Sequence, residues 1–172
     1  MDQIQMARSW TGLADRSDWP EGVVDDHEPD RAQWVDQDTG LDMMIIRHLS
    51  GGHWCGYVGV PSGHPAHGVE YRSGLLNEIE VHGGLTFSEA CHPNEEGADP
   101  PVGVCHIPGP GRPDPVWWLG FDCAHCNDLS PGFHAKMKLM GFLGEGDTYR
   151  DLAYVVVECQ HLARQLDAMG KG

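Results

Sequence analysis

From Tyr149 to Met169, apolar residues recur at helical spacing: Tyr149, Leu152, Val155, Val156, Cys159, Leu162, Ala163, Leu166 and Met169. A helix with one apolar face must bury that face against another layer. Elsewhere the chain offers short strand-like segments, so the stripe predicts an α+β fold. The expected architecture is a mostly antiparallel sheet of about four to six strands. One long C-terminal helix packs on it, and long Pro/Gly-rich loops gather at one edge. Asp147 or Thr148 reads as the helix cap, with Asp151 completing a capping box and Gly170 as the stop. About 22 residues would give a helix roughly 33 Å long. Cys159 falls in the stripe and reads as a small core residue.

The strands are read from alternation and turn residues. Residues 42–48 and 53–60 flank Ser50-Gly51-Gly52 and predict a hairpin, although 41–49 also fits a helical period. Residues 77–82 predict a strand with Ile79 and Val81 facing the core and Glu78, Glu80 and His82 on the other face. Val102–Ile107 predicts a short strand. Residues 116–122 predict a central strand, with Trp117, Leu119 and Phe121 on one face and Trp118, Gly120 and Asp122 on the other. Residues 1–40 carry Trp10, Trp19 and Trp34 among Asp, Pro and Gly without a clear period. They read as an irregular arm packed on a single domain spanning 1–172.

With a net charge of −15, the chain would repel nucleic acid and anionic membranes unless a cation intervenes. Direct DNA binding is not expected, nor is membrane binding, since no apolar run approaches a membrane span. Six cysteines and eleven histidines accompany no secretory leader pattern, so metal ligation or buried thiols are expected ahead of disulfides. The expected location is cytoplasmic, and homo-oligomerisation is left open.

The central strand runs directly into Asp122, Cys123, His125, Cys126 and Asp128. Carboxylates with imidazoles suit a divalent metal, zinc first, and an open coordination position would permit hydrolysis. A plainer reading has Asp122 capping a turn and His125 bonding locally. His82 precedes Gly83-Gly84, where the backbone can turn or approach a ligand closely. The two strand ends are expected to meet. His82, Asp122, His125 and Asp128 would hold the metal, and Glu80 and His82 would carry catalysis, Glu80 as general base. Gly83, Gly84, Thr86, Trp118 and Arg150 would bind the ligand, a small anionic molecule or nucleotide. Arg72, Arg112 and the Lys136/Lys138 pair are further cations for an anion. The alternative is a structural zinc on Cys91, Cys105, Cys123 and Cys126, despite an atypical spacing. Cys123-x-x-Cys126 could also be a redox dithiol. His64, His67, His92 and His106 have no assigned role.

Several motifs resemble a family of small uncharacterised proteins encoded by tailed phages and prophages. They are Cys55-Gly-Tyr-Val-Gly-Val-Pro with Gly63-His64-Pro65, Val81-His-Gly-Gly-Leu-Thr-Phe, Trp117-Trp-Leu-Gly-Phe-Asp-Cys-Ala-His and Tyr149-Arg-Asp-Leu-Ala-Tyr-Val. The resemblance spans roughly residues 30–166. It implies an accessory product made in an infected bacterium's cytoplasm, with counter-defence as one setting, and implies no mechanism. Three functions stay open: a metal-dependent hydrolase, a non-catalytic binder (a sponge for a nucleotide signal or an acidic inhibitor of a host protein), and a structural zinc without other chemistry.

Overall fold

The computed structural model describes residues 6–91, 98–112, 115–134, 137, 140–141 and 147–172. Six strands form one antiparallel sheet: β1 (Arg8–Trp10), β2 (Arg31–Val35), β3 (Asp42–Arg47), β4 (Trp54–Pro61), β5 (Phe87–Ala90) and β6 (Val116–Asp122), in the order β1-β2-β3-β4-β6-β5. Helix α1 (Leu152–Lys171) packs across β3 and β4. This is the expected α+β arrangement, and 42–47 is a strand of the predicted hairpin.

Alternation along the strands builds two cores. On the helix side, Met43, Ile45, Trp54, Val58, Leu119 and Phe121 meet Val155, Cys159, Leu162 and Leu166. The helix comes so close to β4 that a Cβ on Gly56 would stand 2.6 Å from Cys159 Sγ. On the opposite side, Met44, Tyr57, Val116 and Trp118 form a smaller cluster. The loop 98–112 lies over it. Buried Arg31 donates to the carbonyls of Gly103 and Cys105, Gln33 exchanges hydrogen bonds with the Ile107 backbone, and Cys105 is disulfide-bonded to Cys91. Burial pushes the Arg31 guanidinium down to about 10.

Several expectations are corrected. The arm 1–40 supplies two strands. β2 was illegible because Arg31 and Gln33, polar residues, fill the inward positions of the second face while Ala32 and Trp34 fill the first. Residues 77–82 are not a strand. Their backbone is satisfied by helix side chains: Gln165 binds both the N–H and the C=O of Glu80, and Glu158 accepts from the His82 N–H. The edge position goes to β5 instead. Residues 102–107 are a loop whose carbonyls serve Arg31 and Gln33. The helix starts at Leu152 with Asp151 as its cap, accepting from the Tyr154 N–H. Thr148 is withheld because its backbone pairs with Asn127 and Leu129. Gly170 lies inside the last turn, and Gly172 is the C-cap. Among the described residues, no helix is long and apolar enough to cross a membrane. His92, Lys136 and Lys138 lie outside the described residues.

Candidate metal centre

The site forms where three pieces of chain meet: the end of β6, the 81–84 turn, and the start of α1. Beyond β6 the chain makes a tight turn. The Asp128 N–H bonds the His125 carbonyl, 3.0 Å away, and Asn127 adopts a positive φ of 71°, which Asn tolerates better than most residues. The Thr148 N–H then binds the Asn127 carbonyl and the Leu129 N–H binds the Thr148 carbonyl, at 2.8 and 2.9 Å. That pairing brings Arg150 and the helix start beside Asp128.

His82, His125 and Asp128 converge, with one ligand-capable atom of each within 4.8 Å of the others. His82 Nε2 is 2.7 Å from Asp128 Oδ2, and His82 Nδ1 is 2.8 Å from the Tyr154 hydroxyl. The two imidazoles meet edge to face with centroids 5.5 Å apart. Asp128 Oδ2 also accepts from the His125 N–H at 3.0 Å, and Oδ1 accepts from Arg150 Nε at 2.8 Å. Burial alone would raise the Asp128 carboxyl. The hydrogen bonds from Arg150, His82 and the His125 backbone outweigh it and hold the group below the usual carboxylate value.

One atom is left over. His125 Nδ1 is buried and makes no hydrogen bond. It stands 3.7 Å from Asp122 Oδ1 and 3.8 Å from Asp128 Oδ2, too far for hydrogen bonding. Two atoms each about 2.1 Å from one ion lie about 3.0 Å apart at a right angle and about 3.4 Å apart at the tetrahedral angle. Opening that angle moderately reaches the spacings around His125. The His82–Asp128 contact would have to widen by a few tenths of an ångström and lose its shared proton. The donor set, two imidazoles and a carboxylate, suits zinc and other borderline divalent ions.

Gly83 explains how His125 fits. With φ at 65°, it lies under the ring, and a Cβ there would stand 2.1 Å from His125 Cε1. The expected close approach at the Gly-Gly turn is therefore made by the protein's own imidazole. Nothing lies within 4 Å of a Cβ on Gly84.

The other site residues fall as follows. Asp122 stands beside the three-residue group, its oxygens taken by Thr86 Oγ1 and the Ala124 N–H. Alternation points it to the far face of the sheet with Cys55, its β4 partner. Thr86 is exposed, and its hydroxyl donates to Asp122. Glu80 is exposed, and the groups on the His82 ring are Asp128 and Tyr154 instead. Trp118 is fully buried in the opposite core, edge to face with His106, so it lines no pocket with His82 and Arg150. His64 binds the Leu166 carbonyl and His67 leans toward Trp117.

The four-cysteine zinc is overturned. Cys91 and Cys105 are bonded to each other. Cys123 is buried and Cys126 exposed, both as free thiols, so they face different surroundings. Burial raises the Cys123 thiol well above its ordinary value, the opposite of a reactive dithiol.

Tyr154 and Glu158 were missed by sequence reasoning. They sit four apart on α1, beside the apolar stripe, which places them on one helix flank. That spacing was the available signal. Comparisons with family models, with curated proteins and with solved structures find no match to this chain.

Proposed function

We propose that the chain is a metal-dependent hydrolase acting on a small anionic, nucleotide-like ligand, with the ion on His82, His125 and Asp128. The observation that carries this reading is the unpaired, buried His125 Nδ1, aimed between two carboxylates beside a second imidazole. Buried polar atoms are normally paired, so such an orphan among potential ligands favours an ion. The His125 side chain is 33% exposed, which leaves room for a ligand beside the centre. A divalent ion there would act as a Lewis acid and lower the pKa of bound water. His82 is held by Tyr154 on its other nitrogen, the arrangement that fixes a ligating imidazole.

A non-catalytic binder is the second reading. It is favoured by Glu80, whose exposed side chain and helix-tied backbone leave the general-base role unassigned. The phage-like motifs support an accessory, counter-defence setting in a bacterial cytoplasm. The Cys91–Cys105 bond weighs toward an oxidising compartment instead.

The test is elemental analysis after dialysis of tag-free wild type and His125→Ala, with thermal melting alongside. One ion per chain, lost in the variant while the melting temperature holds, supports the centre. Turnover of phosphoesters then separates enzyme from binder, since a binder releases its ligand intact. Absence of any ion from the wild type, even after loading with zinc, sinks the proposal.

A further inference from the structure

Asp128 divides its carboxylate between two neighbours. Oδ2 faces the two imidazoles, and Oδ1 accepts from Arg150 Nε. A guanidinium held through Nε keeps its two terminal nitrogens free in a planar fork. Those nitrogens make no hydrogen bond among the described residues, the Arg150 side chain is 27% exposed, and the group lies over the Tyr154 ring at 4.9 Å. A fixed, half-exposed fork next to a cation site is the geometry that receives a tetrahedral oxyanion.

The local charge sets a condition. Among the described residues, Asp122, Asp128 and Glu158 place three carboxylates around the cluster against the guanidinium of Arg150. This cluster repels an anion. A divalent ion neutralises it, and only then is the fork available to a ligand on balanced terms.

We propose that Arg150 and the ion on His82, His125 and Asp128 together seat a phosphoryl group, so that the substrate class of the site is a phosphoester. This inference rests on the metal centre proposed above. Arg150 is the anion-recognising residue: it contacts the phosphoryl oxygens directly, and the ion supplies the second contact. Phosphate binding is therefore ion-dependent, in a chain whose overall charge opposes it.

The experiment uses Mn²⁺ and inorganic phosphate as probes on the full chain. Mn²⁺ binding is followed by electron paramagnetic resonance, and phosphate by broadening of its phosphorus resonance. Wild type, Arg150→Gln and Arg150→Lys are compared at Mn²⁺ saturation, so that changes in metal affinity drop out. Wild type loaded with Mn²⁺ binds phosphate, and the metal-free protein does not. Arg150→Gln weakens phosphate binding by about ten-fold or more, the usual loss for a hydrogen bond to a charged group, and Arg150→Lys falls between. Equal phosphate binding by loaded wild type and loaded Arg150→Gln overturns the phosphoryl seat and leaves the metal centre standing. Equal binding with and without Mn²⁺ overturns it as well. Failure of the wild type to hold Mn²⁺ overturns the phosphoryl seat as stated for that ion, and failure to hold Zn²⁺ as well overturns both proposals. Should Arg150→Gln not fold, the Lys variant and the comparison of loaded with metal-free wild type decide the matter.

Discussion

Two charged clusters lie at opposite ends of the hydrogen-bonding scale. Around Arg47, whose side chain is fully buried, Glu28, Asp30 and Tyr149 close a network. Glu28 accepts from Arg47, from the Tyr149 hydroxyl and from the Leu152 N–H, while Asp30 accepts from Arg16 and from the N–H groups of Leu13 and Ala14. Arg47 also donates to the Gly52 carbonyl and covers the Trp54 ring at 4.0 Å. Only its Nε lacks a well-aligned bond, 3.3 Å from Asp30 Oδ1. The His82–His125–Asp128 cluster buries Asp128 but leaves His125 partly exposed, with its Nδ1 facing two carboxylates across a gap. The Arg47 network joins the arm, the sheet and the helix start, and its one unpaired atom faces a carboxylate that is already bonded to Arg16 instead of a group of potential metal ligands. Unsatisfied capacity, more than charge density, separates a site from a structural network.

The comparison breaks most sharply at Arg47. Arg47→Met leaves Glu28 and Asp30 buried without their partner and is expected to cost about 3–5 kcal/mol, read by urea unfolding. Whatever fraction folds should keep its metal stoichiometry. Unchanged stability would mean that the network does not hold the arm.

Acid comes next. Burial, reinforced by neighbouring His48, pushes His53 down to about 4, and the ring stacks on His48 at 4.8 Å. The unfolded chain protonates near the ordinary value, about 6.5, so stability falls as pH drops from there toward 4, by about 3 kcal/mol. Asp30 and Asp128 act lower. Each keeps its carboxyl below the ordinary value, burial opposing and hydrogen bonds prevailing, so their contribution is present above that value and is lost as pH falls through the folded one. Unfolding curves for wild type and His53→Phe between pH 4 and 7 should converge in slope at the upper end and diverge below.

Gly83→Ala touches the other cluster. Its Cβ would collide with the His125 ring at a backbone angle that disfavours side chains. The expected result is a stability loss of about 1–2 kcal/mol and a loss of metal affinity, measured by competition with a chelating dye. An unaltered affinity would show that His125 is not a ligand. The smallest expected effect belongs to Tyr154→Phe. Without the hydroxyl on His82 Nδ1, metal affinity should drop about ten-fold with little change in melting temperature. A change in melting without a change in affinity would put Tyr154 with the structural network.

Much of this was legible in the chain, and the failures have causes. The β6 alternation set Leu119 and Phe121 on one face and Trp118 on the other, because a half-buried strand needs period two, and the structure puts the first face under the helix. β2 escaped because its inward residues include Arg31 and Gln33, satisfied by a loop some seventy residues away. Residues 77–82 imitated a strand because extended backbone reads alike whether a strand or a helix side chain satisfies it.

The sequence by itself determined the helix, the β3–β4 hairpin, the central strand and the ligand-rich turn after it, because local periodicity and turn chemistry are written in neighbouring residues. It also named His82, Asp122, His125 and Asp128 as partners, of which His82, His125 and Asp128 converge. Only the tertiary structure decided which of the named groups share a space. Asp122 is turned to the rim, Glu80 is tied outward, Arg150 is drawn in by the pairing of Thr148 with 127–129, and Cys91 is joined to Cys105. These outcomes depend on which backbone groups find partners across the fold, a competition settled between residues far apart in the chain.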